Sequence, residues 1–351
     1  MDRKRETNYD LLRVMSMLAV IVIHVSEIWI CGLPVYKEET GMMIDQMQAV
    51  FACVLKSMSG FAVPCFIMLS GAFNLSDERN REYRYFYGKI FRKIGTHTLI
   101  FSVLYFCYRS LFCFIGDHAG MAEFLVVLKD LLKGEPMGHM GYLYRMAFIY
   151  LLVPVVFRLK NQVSERTVPL LSIACFFLAK AVSWLTAENP ILAELDIGQT
   201  IEYMGYFLLG YVIRKFVSPN MVGGMICIVL GIFIEMRTGV TRYSEIFLGI
   251  QERGFGIAAM FAYVLIFVGF TMVSVKERML ITKLTNLSFI VYLVHQGVND
   301  VLGKTLYHVI SPYYYIEMHS FIWIPLLTMT VLLGSIALAY LYNWIYTKVK
   351  I

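Results

Sequence analysis

Charge is what this sequence has least of. Asp, Glu, Lys and Arg make up only 16% of its 351 residues, where a soluble domain carries about 25%. Hydrophobic residues make up 58%, and the mean hydropathy is +0.64. That balance excludes a soluble globular domain, a disordered tail and a nucleic-acid-binding module, so no nucleic acid is expected as a partner. Nine prolines and 25 glycines are too few for a low-complexity or collagen-like chain. The seven cysteines form no C-x-x-C pair and fall in or beside apolar runs, which reads as buried structural thiols. The sequence has no H-E-x-x-H, no Cys/His cluster with ligand spacing, no glycine-rich phosphate loop and no serine nucleophile elbow. A metal centre is therefore not expected. Internal repeats are also lacking, which weighs against a transporter built from inverted halves.

What the sequence has is long apolar runs. A spanning helix needs about 20 mostly apolar residues, and ten such stretches lie at 11–31, 48–74, 97–115, 141–158, 167–187, 200–217, 221–236, 255–274, 284–303 and 320–346. They are too long and too uniformly apolar for β-barrel strands. The expected fold is an all-α polytopic membrane protein of about ten transmembrane helices, without a soluble domain, so that 1–351 forms one integral-membrane domain. The first stretch is too long for a signal-peptide core and reads as a retained helix. With the N-terminus inside, Lys and Arg divide 19 to 7 in favour of the cytoplasmic segments. This satisfies the positive-inside rule and predicts N-in, C-in topology.

Charged side chains inside spans are costly and usually functional. Arg13 and His24 lie eleven residues apart in the first run, which at about 100° per residue puts both on one helix face, about 16 Å apart along the axis. Position alone allows a plainer reading, an arginine that snorkels to the interface and a histidine bonded to a neighbouring helix. In the ninth run Ser288, Tyr292 and His295 follow i, i+4, i+7 spacing and share a face. His295 is expected at a depth close to that of His24, as in a shared polar cavity; a structural hydrogen bond between helices is the alternative. The second run contains Pro64, which predicts a kink beside a cavity, and Ser70-Gly71, which permits close backbone approach. Lys56, Arg109, Arg145, Lys180, Glu202 and Glu235 are further charges in or near spans. Of these, Arg145 and Glu202 are the pocket candidates. Six cations between Arg79 and Lys93 follow the second run; they serve as a topology signal and contact to anionic lipids, or they hold a polyphosphorylated ligand.

Taken in order, these pieces resemble acyltransferase family 3, the membrane-embedded acyltransferases of ten or so helices. The resemblance covers nearly the whole chain. Its elements are the R-x10-H of Arg13 and His24, the run Val63 to Gly71, and Lys89-Ile90-Phe91-Arg92, similar to the family's R-x-x-R. Tyr206 to Tyr211 and the Ser288…Tyr292-Leu293-Val294-His295 element follow. Gly138-His139-Met140-Gly141-Tyr142-Leu143 is similar to G-H-L-W-F-L, with Gly141 where tryptophan is usual. The resemblance implies transfer of an acyl group, most often acetyl, from acetyl-CoA or another acyl-CoA to a hydroxyl of a cell-envelope carbohydrate. It also implies a multi-pass place in a bacterial plasma membrane. On this reading Arg13, Lys89, Arg92 and Ser70 bind the donor, and His24, with Arg13, carries catalysis. His139, Tyr142, Arg145, Glu202, Ser288, Tyr292 and His295 line the substrate pocket, and the oxyanion donor is one of Ser70, Tyr142, Tyr292 or His295. Many members carry an extracytoplasmic domain that completes transfer; none is evident in this sequence, so the chain is expected to act alone or with a separate partner. The rival reading is a transporter or flippase for an envelope glycan precursor, for which intramembrane His and Arg serve equally well.

Overall fold

The computed structural model describes residues 6–40, 45–113, 120–189, 196–248, 255–309 and 319–349. Among these the regular structure is helical throughout. The helices are α1 (Thr7–Thr40), α2 (Gln46–Met58), α3 (Ala62–Asn74), α4 (Tyr83–Ile90), α5 (Thr96–Cys113), α6 (Met121–Lys133) and α7 (Gly141–Lys160). They continue with α8 (Thr167–Thr186), α9 (Ile197–Phe216), α10 (Met221–Leu248), α11 (Phe255–Met272), α12 (Met279–Val309) and α13 (Ser320–Val349). Each of the ten apolar stretches falls on one or two of them.

Among the described residues, six segments are long and apolar enough to cross a membrane: Thr7–Cys31, Gln46–Asn74, Met121–Lys160, Thr167–Thr186, Met221–Leu248 and Ser320–Val349. Gly256–Met272 is a shorter apolar helix. The chain is thus a multi-pass membrane protein. The outward faces agree: α8 exposes Leu170, Phe177, Trp184 and Leu185 by 64–77%, a face that a lipid phase accepts and water does not.

Three details depart from the sequence expectation. The run 48–74 is two helices rather than one kinked helix, broken at Ser59-Gly60-Phe61. Pro64 then lies in the first turn of α3, where its missing N–H has no helical partner to lose. Helix α10 continues to Leu248, so Arg237 and Arg242, expected in an outer loop, lie on a helix instead. The connection before α7 contains a helix of its own, α6, which carries Lys129 and Lys133.

The chain divides into two compact units. The first comprises Met1–Cys65 and Val217–Ile351, the second Phe66–Phe216. In the first unit α1 packs on α2 and α12, burying Leu12, Ile21, Val25, Trp29 and Val291. Polar ties fix its start. Asn8 donates to the Phe270 carbonyl (3.0 Å) on α11, and Thr285 on α12 donates to that of Asp10 (3.2 Å).

In the second unit α3 and α9 touch backbone to backbone. A Cβ on Gly71 would lie 1.7 Å from the Phe207 carbonyl oxygen, and one on Gly210 2.0 Å from that of Met68. Two sequence motifs that looked independent therefore form the two sides of one crossing. Residues 83–113 run as one helix interrupted by a single π turn over Phe91–Gly95, where Thr96 returns its hydroxyl to the Phe91 carbonyl at 3.1 Å.

Replacing Gly210 by alanine is expected to force α3 and α9 apart and to destabilise the protein by about 1–3 kcal/mol. Gly88→Ala, at a position with nothing within 4 Å of the added carbon, should leave stability unchanged. Thermal unfolding of the two variants in detergent measures the difference.

Candidate active site

In the first unit, α1 and α12 bring together the polar faces that the sequence places on each of the two helices. The His24 and His295 rings lie 5.3 Å apart between centroids, tilted by 39°, and the Tyr292 ring lies 5.6 Å from that of His295. Asn299, one turn beyond His295, donates to the His24 carbonyl at 3.4 Å. The two histidines expected at similar depth thus lie ring beside ring. Ser288 does not add a free donor to it, since its hydroxyl hydrogen goes to the Thr285 carbonyl at 2.8 Å.

His295 is fully buried, with Nδ1 2.6 Å from the Tyr292 carbonyl oxygen. A carbonyl only accepts, so Nδ1 carries the hydrogen and the neutral ring has no second N–H to offer an oxyanion.

His24 is only partly buried, its side chain 19% exposed. Its Nδ1 lies 3.0 Å from Glu27 Oε2, and Lys56 of α2 donates to Glu27 Oε1 at 2.7 Å. The sequence reading does not name Glu27, and it leaves Lys56 among the charges in or near spans that are not pocket candidates. Two signals pointed to them: the i, i+3 spacing from His24, and a lysine inside a span that lacks an anion on its own helix. Arg13 is one-third exposed and pairs with Asp10 at 3.2 Å.

In the second unit the donor candidates separate. Ser70 and Lys89 belong to one polar network. The Ser70 and Tyr150 hydroxyls are 2.9 Å apart, and Asn74 donates to Ser70 (3.1 Å). Asn80 donates to the Asn74 carbonyl (2.8 Å), and Lys89 to Asn80 Oδ1 (2.8 Å). Asn74 and Asn80, which the sequence reading did not single out, are buried and join the two ends. Arg92 lies outside this network: it is exposed and donates to the Gly88 carbonyl at 3.0 Å. Beside Lys89, the hydrogen bond from Arg79 holds the Asp77 carboxyl below its ordinary range, with the nearby charge of Lys89 helping. This contribution to stability is complete at neutral pH and is lost only as the pH falls through that lowered value.

The remaining candidates also have partners. His139 is buried edge-on against Tyr105, ring centroids 5.6 Å apart, and Tyr142 meets Tyr203 at 6.2 Å. Arg145 pairs with Glu135 (3.2 Å) and Asp196 (3.6 Å), and Glu202 with Lys180 (3.1 Å). The glycine at 141 acquires a reason here. A Cβ there would stand 2.7 Å from Glu135 Oε1 and 3.1 Å from Arg145 Nη1, so the ion pair fills the room a larger residue would take.

No group of His, Cys, Asp and Glu among the described residues has a metal-binding arrangement. Compared with known proteins, residues 6–340 match a protein family described as an acyltransferase domain. No curated protein and no solved structure matches the chain.

Asn80→Ala would remove one partner from Lys89 and one from the Asn74 carbonyl. It is expected to destabilise the protein by about 1–3 kcal/mol, read as a lower thermal midpoint.

Proposed function

The chain belongs to the acyltransferase 3 family and is an acyltransferase, and from this premise we propose that it moves an acetyl group from acetyl-CoA to a hydroxyl of a cell-envelope carbohydrate. The observation that carries the reading is the partly exposed His24 imidazole facing His295 across two apolar helices. A neutral imidazole inside a span is suited to take a proton near pH 7. In the transfer, the acceptor oxygen forms a bond to the acyl carbon as its proton passes to His24. The carbon–sulfur bond then breaks, and the proton leaves with the sulfur as the free thiol of coenzyme A. Tyr292 donates to the oxyanion that forms between these events.

Arg13 holds the anionic head of the donor by charge-assisted bonds. Lys89 and Arg92 are proposed as further phosphate donors, each tested by its own substitution. The topology proposed with this chemistry is ten spans with both termini in the cytoplasm of a bacterium, the enzyme lying in its plasma membrane among anionic lipids. The acetylated carbohydrate is then received outside, directly or through a separate extracytoplasmic partner.

Detergent-purified protein is expected to bind acetyl-CoA and hydrolyse it slowly. His24→Ala should abolish turnover while keeping donor affinity. Arg13→Ala should weaken donor binding by about ten- to a hundredfold, the loss of a charge-assisted bond. Absence of binding by well-folded wild-type protein overturns the proposal in favour of transport, since a transporter has no need of coenzyme A.

A further inference from the structure

Two charged groups beside His24 are not consumed by acyl transfer. Glu27 stands one turn further along α1, and Lys56 reaches it from α2. The three make a chain: His24 Nδ1 to Glu27 Oε2 at 3.0 Å, and Lys56 Nζ to Glu27 Oε1 at 2.7 Å. Each carboxylate oxygen thus has a different partner.

The chemistry of the partners fixes the direction of each bond. Lys56 has donors only, so the oxygen it meets accepts. A carboxylate bound to an ammonium on one oxygen is the ionised form, and its other oxygen also accepts. His24 must therefore donate from Nδ1, which leaves the lone pair on Nε2. His295 does not disturb that assignment. Its own Nδ1 hydrogen is directed to the Tyr292 carbonyl, so the neutral ring brings no N–H toward the His24 lone pair.

We propose that Glu27, itself held by Lys56, is a positioning residue that fixes His24 in the Nδ1–H tautomer and thereby presents Nε2 as the base. The inference rests on the acyl-transfer reading of His24 and adds to it which nitrogen works and what keeps it in place. The bond is held from two elements, so neither rotation of the imidazole nor exchange of tautomers is free. When His24 takes the acceptor's proton, the carboxylate already faces the new positive charge and no group has to reorganise. Lys56 acts one step further out, by holding Glu27 in its rotamer. A base oriented by a third group is a recurring arrangement in acyl transfer.

The test compares wild-type protein with Glu27→Gln, Glu27→Ala, Glu27→Asp and Lys56→Met in acetyl-CoA turnover, with kcat and KM determined separately. His24 side-chain nitrogens are also observed by NMR in 15N-histidine-labelled wild type, assigned by their loss in His24→Asn. Glu27→Ala is expected to lower kcat by about a hundredfold with KM for acetyl-CoA changed by less than about twofold. Glu27→Asp should recover part of the loss, and Lys56→Met should fall between it and wild type. Wild-type His24 should show hydrogen on Nδ1, and Glu27→Ala should shift it toward Nε2–H. A folded Glu27→Ala with kcat near the wild-type value overturns the proposal, as does a wild-type His24 that carries its hydrogen on Nε2. The second result decides the matter even where a variant fails to fold. Wild-type protein with no acetyl-CoA turnover removes the transfer reading itself; turnover undiminished in Glu27→Ala removes only the role of Glu27.

Discussion

A bilayer offers no water to a buried charge, and this constraint organises the polar side chains of the protein. A cation inside an apolar helix has to bring its anion with it or find one on a neighbouring helix. Lys56 finds Glu27, Arg109 finds Asp130 at 2.8 Å, Arg145 finds Glu135 and Asp196, and Lys180 finds Glu202. Several of these pairs join residues far apart in sequence. Lys56–Glu27, Arg109–Asp130 and Lys180–Glu202 each tie two neighbouring helices together, because separating them would leave a charge without its partner.

The same constraint explains what could be read from the sequence. Apolar length located the helical segments, because a span is defined by its own composition. The shared face of Arg13 and His24 and the i, i+4, i+7 pattern of Ser288, Tyr292 and His295 were legible for the same reason, since both are properties of one helix. What was not legible depended on a second helix. Nothing in the run around Lys56 says that its anion comes from α1, and nothing at Ser70 says that Asn80 will reach Lys89. Glu27 was readable in principle, at i+3 from His24, but it lies outside the R-x10-H spacing. Helix ends were the other weak point. The extension of α10 beyond residue 236 carries Arg237 and Arg242, residues that hydropathy alone would take out of the helix.

Glycine has two separate uses in this fold. At Gly71 and Gly210 it removes the side chain so that two backbones meet, and the requirement is steric and mutual. At Gly141 the space is occupied by the ends of two charged side chains, so the requirement is that of an ion pair. The first use preserves a helix crossing. The second accounts for the tryptophan missing from an otherwise familiar motif, since an indole and the Glu135–Arg145 pair would compete for one volume.

The π turn at Phe91–Gly95 acts as a phase shift between two parts of one rod. A wider turn inserts about one extra residue, and one residue corresponds to about 100° around the helix axis. The basic segment before the turn and the apolar segment after it are therefore out of step with any single helical period drawn through both. Each is free to meet its own surroundings, the first facing Asp77 and Asn80 and the second lipid and its neighbouring helices. A one-residue deletion inside the turn would close it to an ordinary α turn and leave the side chains of α5 facing as they do now, whereas the same deletion within α5 itself would rotate the two sides of the cut by about 100° against each other.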